Sequence, residues 1–185
     1  PDPDFDLRYV IDAVALTQRE LDGRRPLIGF AGSPWTLATY MVEGGSSREF
    51  AKTKSWAYQD PDSFQDVIGL LVDATSDYLV AQIDAGADVV QIFDSWAVGL
   101  PETALERWSL APIREIAQRV GQKHPEVPVI AFPRGAAVSY TAFARDPNIS
   151  AVSLDTTVTL SWAAEHLQPH AAVQGNLDPQ LLVCG

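Results

Sequence analysis

Five short apolar runs, separated by helical patterns, constrain the fold of this chain most strongly. The runs cover residues 27–31, 89–93, 129–132, 151–154 and 171–174. Each is apolar almost throughout instead of alternating with polar residues, which is typical of parallel strands that are buried on both faces. Between the runs, apolar residues recur at helical spacing, most clearly over residues 67–81. The alternation predicts an α/β fold with one parallel sheet.

The predicted sheet is either closed or open, and a closed (β/α)8 barrel is the first choice. Five strands cannot close such a barrel, and barrels of this kind typically run to about 250 residues, whereas this chain has 185. The chain also begins without an initiator methionine. We therefore expect part of a TIM barrel, with about five βα units in a single domain over residues 1–185, as an incomplete section of a longer chain.

Two helix ends are predicted from single residues. Ser109 is expected to cap the helix that has Pro112 in its first turn. Gly86 is expected to end the long helix before the second strand.

Composition limits the partners of the chain. Its hydrophobic fraction of 46% is enough for a sizeable core, and no apolar run approaches the roughly 20 residues of a membrane-spanning helix. The formal net charge of −11 argues against nucleic acid or an anionic membrane as a partner. The acidic N-terminus lacks the basic region of a secretory signal, and a single cysteine, Cys184, fits a reducing cytosol. We expect a cytoplasmic protein.

Polar and aromatic residues cluster at the carboxyl ends of the predicted strands. In parallel α/β folds, ligands bind at that end, so in a barrel these residues would rim one mouth. They are Gly32, Ser33, Trp35 and Tyr40 after the first strand; Phe93, Asp94, Ser95 and Trp96 at the second; Pro133, Arg134 and Gly135 at the third; Asp155 after the fourth; and Gly175, Asn176 and Asp178 after the fifth. The pattern predicts that they meet around one substrate.

The neutral candidates have two interpretations each. Tyr40 either donates a phenolic hydrogen bond to a carboxylate or packs on the sheet with its hydroxyl in water. Ser95 either binds an anion with its hydroxyl and nearby N–H groups or simply caps a turn or helix. Phe93 is either a core residue or a wall for a flat ligand.

The charged candidates are equally open. Arg134 is the best-placed cation for an anionic ligand, or else a solvated or ion-paired loop arginine. Asp94 and Asp155 are either functional carboxylates or turn caps.

No cofactor or metal site is predicted. The sequence contains no G-x-G-x-x-G after a strand, no G-x-x-x-x-G-K-[ST], no G-x-S-x-G and no lysine at a strand end for a Schiff base. His124, His166 and His170 lie on helices or near strand starts, away from the predicted mouth, and do not point to a metal centre.

Four blocks of sequence resemble the uroporphyrinogen decarboxylase family of the haem pathway. They read GFAGSPWTL with TYMVEGG at 29–37 and 39–45, GAD with QIFDSW at 86–88 and 91–96, FPRG at 132–135, and QGNLDP at 174–179. The resemblance covers essentially the whole chain, and its first and last blocks are the most specific. It implies a (β/α)8 barrel that is usually a homodimer.

The resemblance also implies a reaction and site residues. Members remove carboxyl groups from the four acetate arms of uroporphyrinogen III, a tetrapyrrole, to give coproporphyrinogen III. They need no cofactor, because the protonated substrate ring accepts the electrons as CO2 leaves. By resemblance, Tyr40 contacts the substrate, Ser95 hydrogen-bonds a substrate carboxylate and Phe93 lines the cleft.

The family's arginine-rich N-terminal loop, central aspartate and C-terminal histidine block have no counterpart in these 185 residues. No catalytic residue is therefore assigned, and we expect residues 1–185 alone not to decarboxylate uroporphyrinogen at a useful rate.

Two alternatives are open at this point. One is a corrinoid or cobalamin-independent methyltransferase of the same superfamily. Those enzymes hold zinc with a His-x-Cys pair and a further cysteine, and this sequence contains no His-x-Cys. The other is a catalytically inactive barrel section whose exposed sheet edges need a partner or the parent chain for stability.

Overall fold

One five-stranded parallel sheet forms the centre of the structure, a computed structural model that describes residues 6–45, 47 and 49–185. The strands are β1 (Ile28–Gly32), β2 (Val89–Asp94), β3 (Val129–Pro133), β4 (Ala151–Ser153) and β5 (Ala172–Gln174). They lie in the order β1-β2-β3-β4-β5, and every neighbouring pair is parallel. The predicted parallel sheet is confirmed, and each strand lies within one residue of its predicted bounds.

Helices precede β1, connect the successive strands and follow β5. They are α1 (Arg8–Leu21), α2 (Pro34–Glu43), α3 (Ala51–Gln59), α4 (Pro61–Asp84), α5 (Glu102–Leu105), α6 (Ala111–Lys123), α7 (Tyr140–Ala144), α8 (Leu160–His166) and α9 (Pro179–Cys184). A π-helical turn (Glu106–Leu110) joins α5 to α6 without a break. Short 3-10 turns follow β2 (Ala97–Gly99) and β3 (Ala137–Ser139).

The hydrophobic core lies between the sheet and the helices. The sheet contributes buried side chains such as Val90, Ile92, Ala131 and Val152, and α4 and α6 contribute Leu79, Ile113, Ile116 and Val120. Successive residues of a strand point to opposite faces, and in β1 Ala31 is buried while Phe30 is 61% exposed. We call the face opposite the helices the inner face. The apolar sequence of β1 predicted burial on both faces, and this prediction is wrong, because the side chains of Ile28 and Phe30 on the inner face are exposed.

The two predicted helix ends have different outcomes. Gly86 follows the end of α4 with a left-handed φ of 109°, as predicted. The prediction that Ser109 caps a helix is wrong, because the helix already runs through it in the π-helical turn. The buried Ser109 hydroxyl instead donates a hydrogen bond to Asp94. Proline in the first turn after a serine resembles a helix start, but here the helix is continuous.

The outer edge of β1 carries an unusual side-chain pairing. Phe30 N–H donates to Gln82 Oε1, and Gln82 Nε2 donates to the Phe30 carbonyl, each at 3.0 Å. Alternate residues of β1 bond to β2, as shown by the Ser33 N–H that donates to the Phe93 carbonyl at 2.8 Å. Phe30 therefore points its peptide groups away from β2, and Gln82 from α4 takes the place of a strand. A Cβ on Gly29 would lie 3.0 Å from Gln82 Oε1, which explains glycine there.

Replacing Gln82 by leucine should lower the free energy of unfolding by about 2 kcal/mol, because two peptide groups of Phe30 lose their partners. Thermal unfolding followed by circular dichroism would measure the loss. Gln65→Leu is the matched control, since Gln65 is exposed on the same helix. Equal stability of the two variants would show that water satisfies Phe30 without Gln82.

Candidate functional site

The sequence-predicted candidates lie together at the carboxyl end of the sheet. Ser95 directly follows β2, Arg134 directly follows β3, and Asp155 lies two residues beyond β4. Tyr40 belongs to α2, which starts two residues after β1. The four residues therefore share the C-terminal side of the sheet, as predicted.

A small cleft lies beside Tyr40 at this end. Its volume is about 300 Å3, and Thr39, Tyr40, Gly45, Ser47, Phe50 and Trp96 line it. The Tyr40 ring meets Trp96 edge-to-face with centroids 6.2 Å apart, and the Phe50 ring packs on Trp96 at a tilt with centroids 5.1 Å apart. Tyr40 is 54% exposed. A ligand in the cleft would meet aromatic surface and could accept a hydrogen bond from the phenol.

Local sequence fixes α2 and thereby Tyr40. Ser33 is the N-cap, and its hydroxyl accepts from Thr36 N–H at 3.2 Å. Pro34 occupies the first helical position, where a missing N–H costs nothing. Gly44 ends the helix in a left-handed conformation, with φ 68°, and its N–H donates to the Tyr40 carbonyl.

Phe93 belongs to a row of three rings on the inner face. Strand register pairs Gly32 with Phe93 and Phe93 with Phe132. The Phe93 ring meets Phe30 and Phe132 edge-to-face, with centroids 5.8 Å apart in each case. Phe93 is only half-buried and does not belong to the core between sheet and helices. The row forms an apolar wall.

Asp94 and Ser95 are adjacent in sequence but differ in exposure. Ser95 is half-buried in the turn after β2. Asp94 is fully buried on the helix side, where its carboxylate accepts from Thr36 Oγ1 at 2.8 Å and from the Ser109 hydroxyl. Burial raises the pKa of Asp94, while hydrogen bonds from Ser109, Thr36, Ser33 and Trp96 N–H oppose the rise. Asp94 is therefore an internal anchor and not part of the exposed rim.

Asp155 ties the loops after β3 and β4 together. Its carboxylate accepts from Gly135 N–H at 2.8 Å, from Tyr140 OH at 2.8 Å and from Thr157 N–H at 2.9 Å. Burial would raise the pKa of Asp155, but hydrogen bonds from Thr157, Tyr140 and Gly135 outweigh it and lower the pKa below 3.8. Burial and the contact with Asp155 raise the pKa of Tyr140. The geometry supports the structural interpretation of Asp155.

The position of Arg134 is compatible with its interpretation as a cation that binds an anionic ligand. Its backbone N–H donates to the Asp94 carbonyl at 3.0 Å, which fixes the loop. The side chain is exposed and forms no ion pair with any carboxylate in the described ranges. Arg134 follows Phe132, a member of the ring row, by two residues, so an exposed cation lies at the end of the same strand.

The described residues contain no group of three or more His, Cys, Asp and Glu side chains that could hold a metal ion. His166 and His170 are four residues apart, but His166 packs on Trp162 with ring centroids 5.1 Å apart, and His170 accepts from Arg145 Nε at 3.4 Å. Among all the residues that the structure describes, no helix combines the length and apolar character needed to cross a membrane.

Sequence reasoning missed the neighbours of Phe93 and the partners of Asp94. The ring row can be recognised only from the strand register. Aligning the carboxyl ends of the predicted strands would have placed Phe93 beside Phe132. Nothing local in the sequence signals that Ser109 reaches Asp94.

Comparison with known proteins identifies the family. The sequence matches the uroporphyrinogen decarboxylase (URO-D) family over residues 1–185. The chain belongs to the uroporphyrinogen decarboxylase family. It is 55% identical over 159 residues to the uroporphyrinogen decarboxylase of Rhodospirillum rubrum, a match that covers 86% of this chain and 46% of that protein. The corresponding protein of Rhizorhabdus wittichii is 49% identical over 179 residues, with 97% of this chain and 52% of that protein covered.

The chain spans about half the length of the curated relatives it matches. Among solved structures, a methyltransferase from Methanosarcina mazei has a similar fold, with a TM-score of 0.74 at 18% identity over 91% of this chain and 48% of that one. That likeness concerns the fold alone. The predicted fold class is confirmed: the chain is α/β and forms five βα units of a TIM barrel. The family match favours the decarboxylase over the methyltransferase alternative.

Proposed function

We propose that this chain forms part of a uroporphyrinogen decarboxylase. The family match over residues 1–185 carries the proposal, and the 55% identity to the Rhodospirillum rubrum relative supports it. The reaction is the cofactor-independent removal of the four acetate carboxyl groups of uroporphyrinogen III to give coproporphyrinogen III, a step of haem and porphyrin biosynthesis. We further propose a cytoplasmic homodimer in which residues 1–185 are one section of a single-domain barrel.

The substrate supplies the electron sink in this reaction. A proton added to a pyrrole carbon makes the ring cationic, and the electron pair of the breaking C–CO2 bond flows into that ring. A proton then replaces CO2 on the side-chain carbon, and the ring loses its extra proton. The protein must hold the macrocycle, orient its carboxylates and stabilise the charge that develops.

In this proposal the described residues bind and orient the substrate. The row of Phe30, Phe93 and Phe132, with neighbouring ring centroids 5.8 Å apart, is an apolar wall against which a flat ring system can pack. Tyr40 and Ser95 donate hydrogen bonds to substrate carboxylates, and Arg134 adds a positive charge at the rim. No proton donor is assigned among these residues.

A chimeric protein, called the joined protein below, tests the proposed function. In it, this chain replaces the matching section of the Rhodospirillum rubrum relative, with which it aligns over 159 residues. Coproporphyrinogen formation by the joined protein, measured by separating the oxidised porphyrins, would support the proposal. The isolated 185 residues are the comparison and should show no useful rate. A folded joined protein that forms no coproporphyrinogen would contradict the proposal.

Tyr40→Phe and Ser95→Ala in the joined protein should each lower kcat/KM by about 10- to 150-fold, because each removes one hydrogen bond of about 1.5–3 kcal/mol to a charged group. Steady-state kinetics on uroporphyrinogen would measure the effect. Tyr58→Phe is the matched control, since Tyr58 is an exposed tyrosine on α3, outside the cleft. Unchanged kinetics in Tyr40→Phe and Ser95→Ala, with folding intact, would make both residues structural.

A further inference from the structure

The buried carboxylate of Asp94 stands out among the groups that the proposed mechanism does not use. Its exposure is 0%, and it lies at the last residue of β2, next to Ser95. A buried carboxylate is costly unless hydrogen bonds satisfy it. Neither a lysine nor an arginine pairs with it among the described residues. Uncharged donors alone hold it.

These donors come from two segments of the chain. Thr36 Oγ1 in the first turn of α2 donates to the Asp94 carboxylate at 2.8 Å. The Ser109 hydroxyl donates to it from the π-helical turn. One carboxylate at the end of β2 therefore connects this strand to α2 and to the π-helical turn.

The substrate-binding candidates lie on both sides of the Thr36–Asp94 hydrogen bond, since Tyr40 belongs to α2 and Ser95 directly follows Asp94. Thr36 and Tyr40 are four residues apart on α2, so they lie on the same side of the helix, one turn from each other. Trp96, two residues after Asp94, contacts the Tyr40 ring, with centroids 6.2 Å apart. Ser95 lies between Asp94 and Trp96 in the turn. A shift of α2 relative to this turn would change the distance between the Tyr40 and Ser95 hydroxyls.

The π-helical turn is an independent sign that this network is under a special constraint. A π-helical turn inserts one residue into a helix and is found frequently at functional sites. Here it carries Ser109, which is 1% exposed and bonds to Asp94. Phe64 of α4 contacts the same turn from outside, because its ring packs on Trp108 with centroids 4.9 Å apart.

We propose that Asp94 is a positioning residue, whose carboxylate holds the first turn of α2 against the turn after β2 and so sets the spacing of Tyr40 and Ser95 for the substrate. The proposal rests on the proposed function, because it concerns the same site. Asp94 itself does not touch the substrate, since its side chain lies behind the sheet end among α2 and the π-helical turn.

Kinetics of the joined protein test the proposal. Thr36→Val and Ser109→Ala each remove one donor and keep the side-chain shape closely, and each should lower kcat/KM by about 10- to 100-fold through misplacement of the binding groups. Porphyrinogens with only some acetates removed should accumulate, because a misplaced substrate leaves between rounds. Asp94→Asn keeps one acceptor oxygen and should retain more activity than Asp94→Ala.

Ser76→Ala is the matched control, because its buried hydroxyl donates to the Val72 carbonyl at 2.7 Å within α4, away from the site. It should lower thermal stability without changing kcat/KM or the product distribution. Wild-type kinetics in Thr36→Val and Ser109→Ala, with an active unsubstituted joined protein, would overturn the positioning role and leave the proposed function intact.

Hydrogen exchange gives a readout that needs no activity. The amide hydrogens of Ser33 and of residues 35–40 should exchange faster in Asp94→Ala than in the unsubstituted protein, and Ser76→Ala should leave them unchanged. An unsubstituted joined protein without activity would contradict the proposed function, and exchange would still decide whether Asp94 holds α2. Unchanged exchange in Asp94→Ala would overturn the proposal in either case.

Discussion

Gly135→Ala should lower the free energy of unfolding by about 4 kcal/mol, because two costs combine at this position. Gly135 has φ 78°, a left-handed conformation that side chains rarely adopt. A Cβ there would lie 2.5 Å from Val98 Cβ and 3.1 Å from Val98 Cα. Since Cα belongs to the backbone, a change of side-chain rotamer cannot relieve the overlap. Denaturant unfolding of the two proteins would measure the difference.

Gly44→Ala separates the two costs. Gly44 has a similar φ of 68°, but nothing lies within 4 Å of its Cβ position. We therefore expect it to lose only about 1 kcal/mol, the backbone part. Adding Val98→Gly to Gly135→Ala should recover much of the difference. Equal losses at Gly44 and Gly135 would show that Val98 moves aside freely and that the loop after β3 is not tightly packed.

Asp155→Ala should lower the free energy of unfolding by about 3–5 kcal/mol, since it leaves Gly135 N–H, Tyr140 OH and Thr157 N–H without their charged acceptor. Tyr140 is fully buried, so its hydroxyl has no easy access to water. Tyr140→Phe removes only one of these bonds and should lose about 1.5 kcal/mol. Equal stability of Asp155→Ala and the unsubstituted protein in denaturant unfolding would contradict this account of the loop.

The pH dependence of stability gives a second test of the same carboxylate. The pKa of Asp155 is lowered below its ordinary value of 3.8 in the folded state. Its contribution is therefore fully present above about pH 4 and is lost as the pH falls through the lowered pKa. Asp155→Asn should reduce the fall in the free energy of unfolding below about pH 4 and leave its pH dependence above pH 4 unchanged. A fall of the same size in Asp155→Asn would show that other carboxylates are responsible for it.

The strand positions follow from the sequence because each strand is an apolar run of limited length between polar segments. That pattern also places Phe93, Ser95, Arg134 and Asp155 at one end of the sheet, since parallel strands end on the same side. The pattern does not show to which face of the sheet each side chain points. A strand that is apolar throughout does not show which face meets the helices, so Asp94 could not be assigned to the buried side from its own segment.

Contacts between distant segments are the other part that the sequence does not reveal. Ser109 has the local features of a helix cap, and only the packing of the continuous helix against β2 brings its hydroxyl to Asp94. In the same way, Tyr140 reaches Asp155 across 15 residues because two loops meet beyond β3 and β4. Each of these polar pairs depends on tertiary packing that local propensity does not encode.

The amide of Gln82 has a consequence for how the edge of β1 can grow. A new strand adds to a sheet by pairing with a regular series of free peptide groups. At this edge the series is interrupted at its centre, because both peptide groups of Phe30 are already bonded to Gln82. An incoming strand must either carry a bulge opposite Phe30 or displace the Gln82 amide. The interruption therefore selects against flat, regular strands from other molecules and restricts this edge to a neighbour with a matching irregularity.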